Sequence, residues 1–288
     1  MKRPLVSVLT PSFNQARWLG DNLHSVGCQT YPLIEHIVMD GGSSDESVAM
    51  LERTHHTLTW RSEPDRGQSH ALNKAFAAST GEIVGWLNSD DAFWDCNVVE
   101  DVVRFFAAHP DADVVYGHAA SVNEDGLLLH FFRVPPIAGG SLLRRYNYLI
   151  QPSVFVRRAV LGETLVDETF HFAMDYELWL RLSAAGARFM RIDRVLAIDR
   201  VQRERKSRNL LHVLAADSKR LAARYGVATS RGSRMLTAAY AVWCRLCGTP
   251  LIWRMPAQLA FGVQIDGLWP LIVRQCFSRR RDMSVGGR

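Results

Sequence analysis

The strongest constraint on this chain lies in its first 116 residues, where short apolar, β-branched runs alternate with helical stretches. Residues 5–10, 34–40, 58–61, 83–87 and 113–116 read as strands. Residues 16–28, the alanine-rich 68–78 and 98–108 read as helices, the last with Val102, Phe105 and Phe106 on one face. Gly41-Gly42-Ser43-Ser44-Asp45-Glu46 is turn chemistry leading into a helix start. Strand–helix alternation of this kind predicts an α/β fold, a mostly parallel open sheet flanked by helices. Beyond about residue 120 the pattern changes. Strands are expected at 127–133, 154–156 and within 188–198, loops at Pro135-Pro136 and Gly139-Gly140, and helices at 175–185 and 206–225.

A chain of 288 residues with 48% hydrophobic and 22% charged residues is not disordered, and it is long enough to bury a core without disulfides. The five cysteines are scattered and odd in number, which points to a reducing compartment. The apolar run at 5–10 is too short for a secretory signal, and Asn14, Gln15 and Arg17 follow at once, so a cytoplasmic start is expected. No run reaches the roughly 18 apolar residues that a membrane-spanning helix needs.

Charge divides the chain. Residues 1–199 hold 17 Lys+Arg against 25 Asp+Glu, a net of −8, whereas residues 200–288 hold 17 against 4, a net of +13. A catalytic domain over 1–228 and a helical, basic C-terminal extension over 229–288 are expected. The extension mixes Trp243, Trp253 and Trp269 with Arg279-Arg280-Arg281. That composition suits an amphipathic region lying on an anionic membrane surface, peripheral on its cytoplasmic face. Nucleic acid is not expected as a partner, because no nucleic-acid motif accompanies the basic residues.

Ligands of open α/β sheets bind at the carboxyl ends of the strands. Thr10-Pro11-Ser12-Phe13-Asn14, Asp40 and Asn88-Ser89-Asp90-Asp91 fall there, and Asp65 lies in a further loop. Converging acids need a cation or hydrogen-bond donors to stay ionised. Adjacent carboxylates at a turn suit Mg²⁺ or Mn²⁺, with phosphate oxygens of a nucleotide diphosphate completing the shell. The competing reading of each acid is a helix cap. His55-His56 reads as a surface pair, and Cys244-Arg245-Leu246-Cys247 as an apolar helix face, since no second ligand pair stands at zinc spacing.

Taken together, residues 6–14, Met39-Asp40-Gly41-Gly42-Ser43-Ser44-Asp45, residues 62–69 and Trp86-Leu87-Asn88-Ser89-Asp90-Asp91 resemble family 2 glycosyltransferases. The resemblance covers roughly residues 4–208 and implies the GT-A fold, inverting chemistry, a nucleotide-sugar donor and a divalent metal. It implies that Thr10, Pro11, Ser12 and Asn14 line the nucleotide pocket. Asp40 would bind the base or ribose, and Asp65, Arg66 and Gly67 would complete the nucleoside and diphosphate site. Asn88-Ser89-Asp90 resembles the family's Asp-x-Asp motif with Asn in the first acidic place, so Asp90 is the principal metal ligand, with Asp91 beside it. Asp175 matches the catalytic base, with Glu177 as the fallback. Gln151-Pro152-Ser153-Val154-Phe155 resembles an acceptor-side strand. Where many relatives carry Arg-x-His, this chain has Arg200-Val201-Gln202, which puts a His contact to metal or phosphate in doubt; Arg200, Arg203, Arg205 and Lys206 would bring phosphate-binding charge instead.

The expected reaction moves a sugar to a hydroxyl of a glycan or lipid-linked acceptor, as in polysaccharide or glycolipid synthesis. The alternatives are a nucleotidyltransferase, which would want a glycine-rich basic loop after the first strand, and a non-catalytic membrane-associated subunit that retains the fold.

Overall fold

The computed structural model describes residues 3–135, 140–202 and 211–227. The expectations for Arg203, Arg205, Lys206 and the extension at 229–288 lie outside these residues.

Among the described residues, nine strands form one sheet. In chain order they are β1 (Val6–Ser12), β2 (Ile34–Asp40), β3 (Leu58–Ser62), β4 (Ile83–Trp86), β5 (Ala92–Phe93), β6 (Val114–Asn123), β7 (Leu128–Phe132), β8 (Val154–Arg157) and β9 (Phe189–Val201). The spatial order is β3-β2-β1-β4-β8-β6-β9-β5, with β7 on β6. The first four strands are parallel, as the alternation predicts. β8 then enters antiparallel between β4 and β6, and β6 pairs parallel with β9. The helices are α1 (Ala16–Gly27), α2 (Ser47–Glu52), α3 (Gln68–Ala77), α4 (Val98–Ala108), α5 (Gly140–Leu143), α6 (Met174–Ala184) and α7 (Leu211–Tyr225).

Strand alternation splits the core in two, because successive side chains point to opposite faces. Leu9, Val84, Val114, Tyr116, Val154 and Val156 face a cluster that includes Leu72, Phe76, Leu178 and Trp179 of α3 and α6. Val8, Ile83, Val115 and Phe155 face a second cluster with Val99, Val102 and Phe106 of α4. Gly85 lets the Phe155 ring lie against β4: a Cβ there would sit 2.8 Å from the ring.

Register fixes where the loops leave the sheet. Ser12 pairs with Asp40 across β1 and β2, and Asp40 with Ser62 across β2 and β3. The turns carrying the predicted polar residues therefore emerge side by side at one edge.

The histidine doublet is not wholly a surface feature. His55 is exposed, but His56 is half-buried, its Nε2 3.1 Å from Nδ1 of buried His36. The other ring nitrogen of His36 lies 3.0 Å from Thr10 Oγ1. Burial, then the neighbouring His56, holds the His36 pKa well below 6.5, so the folded state keeps it neutral. The unfolded chain binds that proton below about pH 6.5, so the stabilisation is present above that pH and declines as pH falls, by up to ~1.4 kcal/mol per pH unit. His36→Gln is expected to flatten the loss of the urea midpoint between pH 7 and pH 5; an unchanged slope would refute the assignment.

Candidate active site

The strand-end loops open on a cavity of about 1440 Å³. Pro11, Ser12, Phe13 and Gln15 line it after β1, Gly41 after β2, and Asp65, Gly67 and Gln68 after β3. Asn88, Ser89, Asp90 and Asp91 line it after β4, Asp199 and Gln202 at the end of β9, and Asp175 in the first turn of α6. Residues from distant parts of the chain thus converge at the edge where this class of sheet binds ligands.

On the β1 side, Ser12 Oγ is buried and has no hydrogen-bond partner among the described residues, so a hydroxyl is left for a ligand. Phe13, 58% exposed, presents an aromatic face at the rim. Thr10 stands one layer behind, against His36. Asn14 does not line the cavity; its φ of 51° is left-handed, which Asn tolerates. It clamps the next loop, with its N–H donating to Ser43 Oγ and its Oδ1 accepting from the Ser44 N–H.

Asp40 is buried and its carboxylate is occupied. It accepts from the N–H groups of Gly42 and Ser43 and from the hydroxyls of Ser43 and Ser62. The structure thus places it under the 41–43 turn, which it shapes, rather than on the cavity wall. Asp65 does reach the wall. Its Oδ1 accepts from the Gly67 N–H, and a Cβ on Gly41 would fall 2.8 Å from its Oδ2, so this approach requires glycine. Gly67 has φ 108° and starts α3. Arg66 points away from the cavity and pairs with Glu168 at 2.8 Å.

Asn88 is the junction of the site. Its Oδ1 accepts from Gln68 Nε2 (2.8 Å) and Trp86 Nε1 (2.7 Å). Its Nδ2 donates to Asp91 Oδ2 (3.1 Å) and Gln151 Oε1 (2.9 Å). All four positions of the amide are filled, two of them by groups that need a donor. An aspartate would set its own oxygen against Asp91 and Gln151, which accounts for Asn in the first acidic place. Asp91 belongs to the same network: its other oxygen accepts from the Arg200 N–H, and the residue still lines the cavity. Asn22 of α1 supports the same turn from beneath, donating to the Asn88 carbonyl at 2.8 Å.

Asp90 faces the cavity, and Gln202 Nε2 donates to its Oδ2 at 2.6 Å and to Gln15 Oε1 at 3.2 Å. The glutamine that stands where the resemblance would put a His thus orients the carboxylate. Arg200 is placed differently from the expectation. It is 4% exposed and does not line the cavity. Its guanidinium pairs with Asp21 at 2.6 Å and donates to the Asp90 carbonyl, bracing the loop from behind. Glu177, the fallback base, does not line the cavity. It is 0% exposed, held by Arg181 and Tyr225 away from the cavity.

Asp90, Asp91 and Asp199 place three carboxylates on this side of the cavity. Among the described residues, no three His, Cys, Asp or Glu gather to hold a metal by themselves, and no Lys or Arg lines the cavity. An ion there fits as one or two carboxylates plus the phosphate oxygens of a bound nucleotide.

Sequence reasoning missed Asn22, Gln15 and Phe13. The signal for Asn22 was a polar residue within the Leu19, Leu23, Val26 stripe of α1.

An α/β sheet of this order, with its acids and a cavity at the carboxyl ends of the strands, is the architecture of a GT-A glycosyltransferase. The chain belongs to glycosyl transferase family 2, whose family model matches residues 7–174. An uncharacterized glycosyltransferase of Mycobacterium tuberculosis (strain H37Rv) is 38% identical over 116 residues, which is 40% of this chain and 44% of that protein. The chain therefore spans less than half of that relative. Among solved structures, Staphylococcus aureus TarS 1–349 in complex with UDP-GlcNAc is similar with a TM-score of 0.60 at 20% identity, over 76% of this chain and 66% of that one. A mannosyltransferase of Pyrobaculum calidifontis in complex with GDP-Man and Mn²⁺ gives 0.54 at 19% identity, over 96% of this chain and 81% of that one. At these identities the two structures speak for the fold.

Asn88→Asp is expected to cost about 1–3 kcal/mol by setting acceptor against acceptor. The exchange Asn88→Asp with Asp91→Asn restores a donor between these two positions and should recover the part of that loss that comes from Asp91, while the contact with Gln151 Oε1 stays acceptor against acceptor. Urea denaturation of the two variants checks both; an Asn88→Asp protein as stable as the parent would remove the junction.

Proposed function

We propose that the chain is an inverting hexosyltransferase that moves a sugar from a nucleotide-diphosphate donor to a hydroxyl of a glycan or lipid-linked acceptor. The observation that carries this reading is that Asp175 and the Asp90 loop line one cavity together with the β1, β2 and β3 loops. The nucleoside lies against Pro11, Ser12 and Phe13, with Asp65 at its edge. The diphosphate lies towards Ser89 and Asp90. Asp175 accepts the proton of the acceptor hydroxyl as it attacks the anomeric carbon from the face opposite the leaving diphosphate. An α-linked donor then gives a β-linked product.

A divalent cation, Mn²⁺ or Mg²⁺, fits the donor side with Asp90 as the principal protein ligand; when bound, it neutralises the charge developing on the leaving diphosphate. One observation favours it: the Pyrobaculum mannosyltransferase is seen in complex with GDP-Man and Mn²⁺. Asp91, tied to Asn88 and Arg200, serves that ligand set by shaping its turn. The TarS complex with UDP-GlcNAc supports a nucleotide-sugar as donor.

Asp175→Asn is expected to lower turnover by about 10²–10⁴-fold, the usual contribution of a general base. Nucleoside diphosphate affinity in Mn²⁺, measured by calorimetry across UDP, GDP and dTDP, should change little and should vanish in EDTA. An equal loss of affinity and turnover would argue against the base.

We infer further that residues 1–228 form the catalytic domain and that 229–288 bring it to an anionic membrane surface on the cytoplasmic side. No helix among the described residues is long and apolar enough to cross a membrane. Reversing Arg279, Arg280 and Arg281 to Glu in the full chain is expected to lower partitioning into phosphatidylserine vesicles. Partitioning equal to the parent's would end this reading.

A further inference from the structure

The cavity is larger than the roughly 300–1,000 Å³ usual for a small-molecule site, so it has room for more than the donor. Its wall around Asp175 differs in character from the strand-end loops. Phe132, Ile150, Phe172, Leu221 and Val227 line it, drawn from β7, the segment before β8, the approach to α6, and α7 with the residues after it.

The polar atoms of this wall are largely taken up by the protein. The Tyr176 hydroxyl donates to the Leu143 carbonyl, so Tyr176 offers its ring to the cavity. Trp86 Nε1 donates to Asn88. The N–H groups of Phe172 and Ala173 donate to the buried Asp217 carboxylate at 2.8 and 3.1 Å. That double contact fixes α7 against the approach to α6 and brings Leu221, one turn further along, to the wall. Asn147, His171 and Ser218 are the polar side chains that line this part of the cavity beside Asp175.

A free sugar exposes hydroxyls on every side, and each one that leaves water needs a partner. An alkyl or aryl group needs none and gains by leaving water. We propose that this wall is an acceptor subsite for an apolar group carried next to the reactive hydroxyl, with Ile150, Phe172, Leu221 and Val227 as its specificity-determining residues. The inference rests on the reading of Asp175 as the base, which puts the acceptor on this side.

The test compares methyl and octyl β-D-glucopyranoside, below the micelle concentration of the latter, by calorimetry on the full chain with UDP or GDP and Mn²⁺ present. The octyl compound is expected to bind at least about tenfold more tightly. Phe172→Ser and, separately, Val227→Ser should shrink that advantage several-fold while leaving nucleotide affinity unchanged, which serves as the folding control. Equal affinity of the two glycosides, or binding of neither, overturns the subsite. An octyl advantage untouched by both substitutions also overturns it, because the alkyl chain then sits elsewhere. If no nucleotide binds but the octyl advantage persists and responds to the substitutions, the transferase reading falls and the apolar subsite stands.

Discussion

The strand-end face of the cavity depends on one amide. Asn88 joins α3 through Gln68, β4 through Trp86, the following turn through Asp91 and the approach to β8 through Gln151. A buried amide with all its positions filled is stabilising, whereas one left partly filled is costly. The turn that presents Asp90 is therefore determined by four partners at once, with Asn22 beneath and Arg200 behind. The orientation of Asp90 towards the cavity, completed by Gln202, follows from that frame.

The first half of the fold was legible because its cause is local. β2 and α4 fall at the residues where apolar period and turn chemistry placed them, and β1, β3 and β4 lie within two residues of it. The second half was legible in kind but not in arrangement. β6 runs on to Asn123 and β9 to Val201 because the two pair with each other, a contact between segments about 75 residues apart that neither advertises. β5, two residues long, exists by pairing with β9.

The site was legible to the extent that position decides it. Ser12, Asp65, Asn88, Asp90 and Asp175 do meet in one cavity. Which of the remaining acids and bases are occupied by the scaffold could not be read from a linear string. Asp40 and Asp91 look like ligands in sequence; in space Asp40 lies under the 41–43 turn with four hydrogen bonds, and Asp91 is tied to Asn88 and the Arg200 N–H while still lining the cavity. Arg200 looks like a phosphate ligand, and its burial beside Asp21 depends on α1 passing beneath the end of β9. Glu177 stands two residues from Asp175, yet helical geometry turns it to the far side, where a buried carboxylate requires the Arg181 and Tyr225 partners that it has.

The Asp217 contact has a mechanical side. One carboxylate of α7 holds two successive backbone N–H groups just ahead of Asp175, so the helix and the approach to α6 are tied together at that point. A displacement of α7 is thereby coupled to the backbone that carries Asp175 to the cavity.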